Sequence, residues 1–138
     1  MPPPGPSHDG LRLAGLEVHR SGSPVVRDVS LVAPAGQVTV LLGANGAGKT
    51  TLLEAASGVV PAVKGTVTLA GTDVTHLARS ARARLGLAHV EQGRAIFPDL
   101  TVEENLLVAG PRPAIEASFE LFPVLANRRT ARAALLSG

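Results

Sequence analysis

The sequence lacks cysteine, tryptophan and tyrosine altogether, and its aromatic side chains are three phenylalanines. Without cysteine there is no disulfide framework and no thiolate ligand for a metal ion, which is compatible with the cytosol. No apolar run reaches the length that a membrane-spanning helix needs. Thirteen basic and eleven acidic residues leave a net charge of +2, so the composition gives no sign of a nucleic-acid-binding surface despite a pI of 9.9.

What the sequence does contain is sufficient for one globular domain. The 138 residues are 45% hydrophobic, and a chain of this length buries about two-thirds of its unfolded surface. Residues 1–10 are rich in proline and lack the basic start and apolar stretch of a signal peptide. We therefore expect residues 1–10 to be a disordered tail and residues 11–138 to fold.

The most informative stretch is residues 43–50, Gly-Ala-Asn-Gly-Ala-Gly-Lys-Thr, which matches the P-loop pattern G-x-x-x-x-G-K-[ST] at every fixed position. The apolar run Val38–Leu42 before it predicts a buried parallel strand. Residues 51–57 after it predict a helix that ends at Gly58. Strand, glycine loop and helix in this order favour a nucleotide-binding loop over a glycine-rich turn that binds nothing.

Each residue type in this loop suits phosphate chemistry. Glycines allow backbone N–H groups to approach a phosphate chain, and the helix N-terminus adds partial positive charge. The Lys49 ammonium is predicted to contact the β- and γ-phosphates, and the Thr50 hydroxyl to ligate Mg²⁺. The residues predicted to hold the phosphates are Gly43, Asn45, Gly46, Ala47, Gly48, Lys49 and Thr50.

The rest of the chain predicts an α/β fold whose N-terminal part is antiparallel. Alternating apolar and polar residues predict strands at 11–18, 25–33, 65–71 and 87–90. Helical patterns occur at 75–85, from 101 to the prolines at 111 and 113, at 114–121 and at 128–136. Thr101 and Glu104 have capping-box spacing, and the acidic pair at 103 and 104 is interpreted as helix first-turn charge.

Two later stretches resemble parts of the ATP-binding subunits of ABC transporters. Residues 90–106 resemble the Q-loop region of that family, and the final Leu-Ser-Gly resembles the opening of its signature motif. The order and spacing agree, and the resemblance covers about residues 11–138. If the chain were a P-loop kinase or GTPase, it would resemble the ABC family in these two stretches only by coincidence.

Within the family, the chain looks most like the second ATP-binding subunit of branched-chain amino-acid importers. This likeness is carried by Asn45, by residues 93–98 and 101–106, and by Leu-Phe-Pro at 121–123 with Arg128 and Arg129 further on. The urea importer subunit shares most of these residues. It tends to have glutamine where the branched-chain type often has glutamate, so Gln92 leaves urea transport open.

The resemblance implies ATP and Mg²⁺ as cofactors and assigns further site residues. Gln92 matches the Q-loop glutamine, which positions the attacking water and Mg²⁺ and therefore acts with Lys49 in catalysis. Thr51 would contact phosphate oxygens. Ser137 and Gly138 would bind the γ-phosphate of an ATP that the opposite subunit holds.

Two other pairs of residues each allow two interpretations. His19 and Arg20 stand where the family usually has an aromatic residue that stacks on adenine, and both side chains can stack on a purine. Alternatively, they are exposed turn residues. Ile96 and Phe97 either help to receive the coupling helix of a membrane subunit or fill the core.

The implied partners are membrane subunits of the transporter and a second ATP-binding subunit, without nucleic acid, at the cytoplasmic face of the membrane. The family pattern also includes an apolar strand ending in Asp-Glu and a later switch histidine, and neither occurs in these 138 residues. We therefore expect a truncated chain with an incomplete core sheet, poor stability and no ATP turnover by itself. An importer ATPase subunit, a non-catalytic nucleotide-binding remnant and a decoy that pairs with intact subunits remain the alternatives.

Overall fold

The computed structural model describes residues 10–93 and 96–136, and the chain divides into two compact units, Met1–His89 and Val90–Gly138. Each unit has its own cluster of buried apolar side chains. Within the described ranges, no helix combines the length and the apolarity that crossing a bilayer requires.

The first unit is built on a four-stranded antiparallel sheet. Its strands are β1 (Leu11–Arg20), β2 (Ser23–Ala33), β3 (Lys64–Leu69) and β4 (Thr72–Asp73). They lie in the order β2-β1-β3-β4, so β1 pairs with a neighbour on each side. The predicted antiparallel arrangement of the N-terminal part is confirmed.

A bulge in β1 determines which of its side chains face the core. Leu13 and Leu16 are both buried although they are three residues apart, which a regular strand with alternating faces does not allow. The pairing with β2 shifts register between these two residues, at Gly15, whose φ is 59°. The Gly15 amide donates to Ser30 Oγ at 2.8 Å. Beyond the bulge, Val18 lies on the buried face together with Leu16, two residues before it.

Two helices complete the first unit. They are α1 (Lys49–Ser57) and α2 (Arg79–Arg84). The helix after the glycine loop is therefore confirmed, and Gly58 ends it in a left-handed conformation with φ 80°. The helix predicted for 75–85 is shorter than expected because Asp73 Oδ1 accepts both the Thr75 amide and the Thr75 hydroxyl, which forms a turn there instead.

Two predicted strands are wrong. Residues 38–42 and 87–90 are not strands, and Val38, Leu42 and Val90 are 93%, 84% and 84% exposed. Apolar composition does not by itself form a strand, since backbone N–H and C=O groups also need a paired neighbour. The four strands of the described sheet pair with one another and with neither of these segments.

The second unit is helical. Its helices are α3 (Val102–Ala109), α4 (Arg112–Leu121) and α5 (Pro123–Ala126), followed by a 3₁₀ turn at Ala133–Leu135. The predicted capping box of α3 is confirmed, because Thr101 Oγ1 accepts the Glu104 amide and Glu104 Oε2 accepts the Thr101 amide. The core of the second unit consists of Val102, Ile115 and Phe119.

The helix predicted for 128–136 is wrong apart from that 3₁₀ turn. The carbonyls of Arg129 and Ala131 accept the amides of Glu103 and Val102, so the backbone here pairs with the start of α3. Long-range pairing has therefore overridden the local helical pattern. The Arg129 guanidinium also pairs with Glu103 at 2.8 Å and lies 4.7 Å above the Phe119 ring.

Candidate functional site

The glycine loop leads directly into the N-terminus of α1. Gly48 is the N-cap residue, with φ 91°, and Gly46 has φ 83°, so both adopt a conformation that favours glycine. A Cβ at Gly48 would lie 3.1 Å from the carbonyl oxygen of Val25 on β2. At Gly43 an added Cβ would make only ordinary contacts, the nearest at 3.5 Å. The loop conformation therefore depends on Gly46 and Gly48 more than on Gly43.

Lys49, the first residue of α1, reaches back over the loop. Its Nζ donates to the carbonyl oxygens of Gly43 at 2.6 Å and Ala44 at 2.7 Å. The ammonium is thus held on the loop that precedes α1. The amides of the first turn of that helix have no intrahelical acceptors. The next two side chains differ in environment, because Thr50 is exposed and Thr51 is buried. Asn45 and Ala47 are exposed in the loop itself.

A cleft of about 340 Å³ borders the end of the glycine loop and the start of α1. Its apolar lining includes Val25 of β2 and Leu52 of α1. Arg27, Gly48 and Lys49 also line the cleft. The cleft therefore places apolar surface next to a cationic side chain and a helix N-terminus.

His19 and Arg20 lie at the end of β1 rather than in a turn, and each contacts a carboxylate. His19 Nε2 lies 2.7 Å from Glu17 Oε1. Arg20 pairs with Glu54 of α1 and so connects the end of β1 to the helix. Hydrogen bonds from Lys64 and then His19 hold the pKa of Glu17 below its usual value. His19 is half-buried and Arg20 is exposed, and the turn begins at the next residue. The stacking role of the pair stays a prediction.

The remaining predicted site residues belong to the second unit. Gln92 is exposed, in a bend of the segment before α3. Ile96 and Phe97 are 44% and 55% exposed, so they do not fill the core. Ser137 and Gly138 lie outside the described residues, as do residues 94 and 95 of the Q-loop stretch.

Sequence reasoning missed the residue that orders the loop before α3. Asn105 Oδ1 accepts the Phe97 amide at 2.8 Å, and Asn105 Nδ2 donates to the carbonyl oxygens of Phe97 and Thr101, each at 2.9 Å. These bonds hold Phe97 in an exposed position. No local pattern indicated this role, because it requires a loop to fold back on a helix.

A family model described as "ABC transporter" matches residues 26–137 of this chain. The match includes the glycine loop, α1 and all of the second unit except its last residue. The chain therefore belongs to the ABC transporter family.

Curated relatives support this assignment and differ in the solute that their names give. BraG of Pseudomonas aeruginosa, named as a high-affinity branched-chain amino acid transport ATP-binding protein, is 38% identical over 120 residues, which cover 82% of this chain and 52% of BraG. PhnT of Salmonella typhimurium, named as a putative 2-aminoethylphosphonate import ATP-binding protein, is 42% identical over 97 residues, which cover 70% of this chain and 26% of PhnT. The chain thus spans about half or less of the length of these relatives.

A solved ATP-binding cassette of an ABC transporter has the same fold. It superposes with a TM-score of 0.81 over 94% of this chain and 60% of the solved one, at 24% identity. The predicted fold class, an ABC-type nucleotide-binding domain with an antiparallel β portion, is confirmed.

Proposed function

We propose that this chain binds Mg·ATP through residues 43–51, as part of the ATP-binding subunit of an ABC importer. The observation that carries the proposal is the N-terminus of α1. There Gly48 caps the helix, Lys49 Nζ lies over the loop and Thr50 is exposed. The loop and the helix start that follows it thus supply amide donors, a helix dipole and an ammonium group, which are the groups that bind a polyphosphate.

The loop residues can hold Mg²⁺ only together with phosphate oxygens from a bound ligand. The Thr50 hydroxyl is an oxygen donor of the kind Mg²⁺ accepts, but the first turn of α1 has no acidic residue. Among the described residues, no group of three or more histidine or acidic side chains is arranged to hold a metal ion. The ion would therefore bind with the nucleotide, whose phosphate oxygens complete its ligands and whose charge it neutralises.

We propose branched-chain amino acids as the transported solute of the complete importer. The support is the likeness of residues 93–98 and 101–106 to that subunit type, together with the similarity to BraG. Urea is the second candidate, on account of Gln92, and a non-catalytic nucleotide-binding remnant is the third. Turnover of ATP by the 138 residues alone is not part of the proposal.

Ile96 and Phe97 are the proposed contact with a membrane subunit. Both are apolar and exposed, and Asn105 holds the backbone of Phe97 on both its N–H and its C=O sides. An exposed apolar pair in which the backbone of Phe97 is held in place is suited to receive a helix from another chain. A second ATP-binding subunit completes the proposed assembly.

Calorimetry with Mg·ATP on the 138-residue chain tests the binding proposal. We expect saturable binding that Lys49→Ala removes and that Lys64→Ala, the same change at the exposed lysine of β3, leaves intact. A chain that is folded by circular dichroism yet binds no Mg·ATP would refute the proposal.

For the solute, disruption of the encoding gene should reduce uptake of labelled leucine. A loss of labelled urea uptake instead would favour the second candidate.

A further inference from the structure

The C-terminal end of α1 is held by a buried arginine that the proposed nucleotide chemistry does not use. Arg82 of α2 is 4% exposed. Its Nη1 donates to the carbonyl oxygens of Ala55 at 2.9 Å and Ala56 at 2.7 Å. Its Nε donates to the carbonyl of Leu77 at 3.0 Å, and its Nη2 to that of Thr75 at 2.8 Å. A single planar group therefore connects four backbone carbonyls.

The two alanine carbonyls belong to the last turn of α1, where the negative end of the helix dipole lies. The Ala55 carbonyl also accepts the Gly58 amide at 3.2 Å. The guanidinium adds side-chain donors and the complementary charge at this end of the helix. Burial lowers the pKa of Arg82, and the charge of Asp73 acts in the opposite direction. An arginine side chain remains protonated under such conditions.

The contact is too close to tolerate a side chain at the end of the helix. A Cβ at Gly58 would lie 2.9 Å from Arg82 Nε. The Gly58 amide donates to the Ala55 carbonyl, and the Val59 amide donates to the Glu54 carbonyl at 2.8 Å. Arg82 thus packs directly on the turn that ends α1.

A second contact joins the same end of α1 to the segment that follows α2. Ser57 Oγ, buried in the last turn of the helix, lies 2.8 Å from His89 Nδ1. His89 precedes Gln92 by three residues in the sequence. The end of α1 is therefore attached at two points, Arg82 and His89, to the stretch of chain that leads to Gln92.

We propose that Arg82 is a positioning residue for nucleotide binding, which fixes the far end of α1 and thereby the direction of its phosphate-binding N-terminus. The helix has nine residues and a length of about 13 Å, so it moves as one piece. A tilt at Ala55 and Ala56 would displace the amides beside Lys49. This inference rests on the proposed binding of Mg·ATP.

The test compares Arg82→Met with Arg84→Met, the same change at an exposed arginine of the same short helix. Calorimetry measures the dissociation constants of Mg·ATP and of inorganic Mg·tripolyphosphate, and urea unfolding measures stability. We expect Arg82→Met to raise the dissociation constants of both ligands by about tenfold. This is the size of effect that a charge in a partly buried position at a helix terminus has. Arg84→Met should change neither. Arg82→Lys, which keeps the charge but not the planar fork, should give an intermediate loss.

Tripolyphosphate separates positioning of the loop from effects elsewhere, since it has no base. A folded Arg82→Met chain with unchanged affinity for tripolyphosphate would overturn the proposal, whatever happens to ATP. If both Arg82 variants are unfolded in the absence of urea, Arg82 acts through stability alone and the proposal is again overturned. If the unmodified chain binds neither ligand and Lys49→Ala behaves identically, the proposed function has failed first, and the positioning role fails with it.

Discussion

Two sets of apolar segments in the first unit have similar composition and opposite environments. Leu16 and Val18 in β1 are completely buried, whereas Val38 and Leu42, ahead of the glycine loop, are 93% and 84% exposed. β1 lies between β2 and β3, so its backbone is paired on both sides. Residues 38–42 pair with none of the described strands. An apolar, β-branched segment becomes a strand where a partner supplies hydrogen bonds and a covering layer.

The largest expected effect tests the buried side of this comparison. Leu16→Ala removes a side chain with 0% exposure from the core, and we expect it to lower the free energy of unfolding by about 2–5 kcal/mol. Val40→Ala, at a position that is 69% exposed, should change it by about 0.5 kcal/mol or less. Urea unfolding of both variants measures the contrast. Equal losses would mean that residues 38–42 are packed in solution.

A smaller effect is expected at the capping box of α3, which the local sequence determines. Thr101→Ala removes the hydroxyl that accepts the Glu104 amide at 3.2 Å, and we expect the second unit to lose about 1 kcal/mol of stability. Thr130→Ala, at an exposed threonine of the same unit, serves as the control. Hydrogen exchange at the first amides of α3 should increase in the first variant alone. No increase would show that the capping box does not hold the start of this helix.

The smallest effect concerns the cross-strand pair of β1 and β3. Glu17 faces Lys64 in the sheet register, with 2.9 Å between the charged groups, and its pKa is lowered chiefly by that hydrogen bond. A lowered pKa contributes stability above the ordinary value of 4.5, and this contribution is lost as the pH falls through the folded-state pKa. The Glu17→Gln variant should therefore be slightly less stable than the unmodified chain at pH 7, and the two stabilities should converge as the pH falls below the folded-state pKa.

Urea midpoints across this pH range, with Glu120→Gln as an exposed control, measure that difference. Salt should reduce it, because the pair lies at the surface. A difference that grows on acidification would contradict the assigned direction of the pKa shift.

The sequence predicted best what short-range signals determine. The glycine stop at Gly58, the capping box at Thr101 and the helix after the loop each depend on residues within one or two turns. The family and the fold class were also accessible, since the P-loop pattern is specific.

What the sequence did not predict depends on distant contacts. The strands expected at 38–42 and 87–90 required partner strands, and the helix expected at 128–136 gave way to pairing with the start of α3. Arg82 has no local signal, because α2 contains three arginines and only the fold shows that this one meets the end of α1. A local pattern indicates which secondary structure a segment favours, and contacts with the rest of the fold determine which structure it adopts.

The most direct test of the central claim is an NMR titration of the ¹⁵N-labelled chain with Mg·ATP. We expect saturable shifts of the amide signals of residues 46–51, at the N-terminus of α1, and none of these shifts in Lys49→Ala. Saturable shifts confined to other residues, or no shifts in a folded chain, would contradict the assignment of this loop as the nucleotide site.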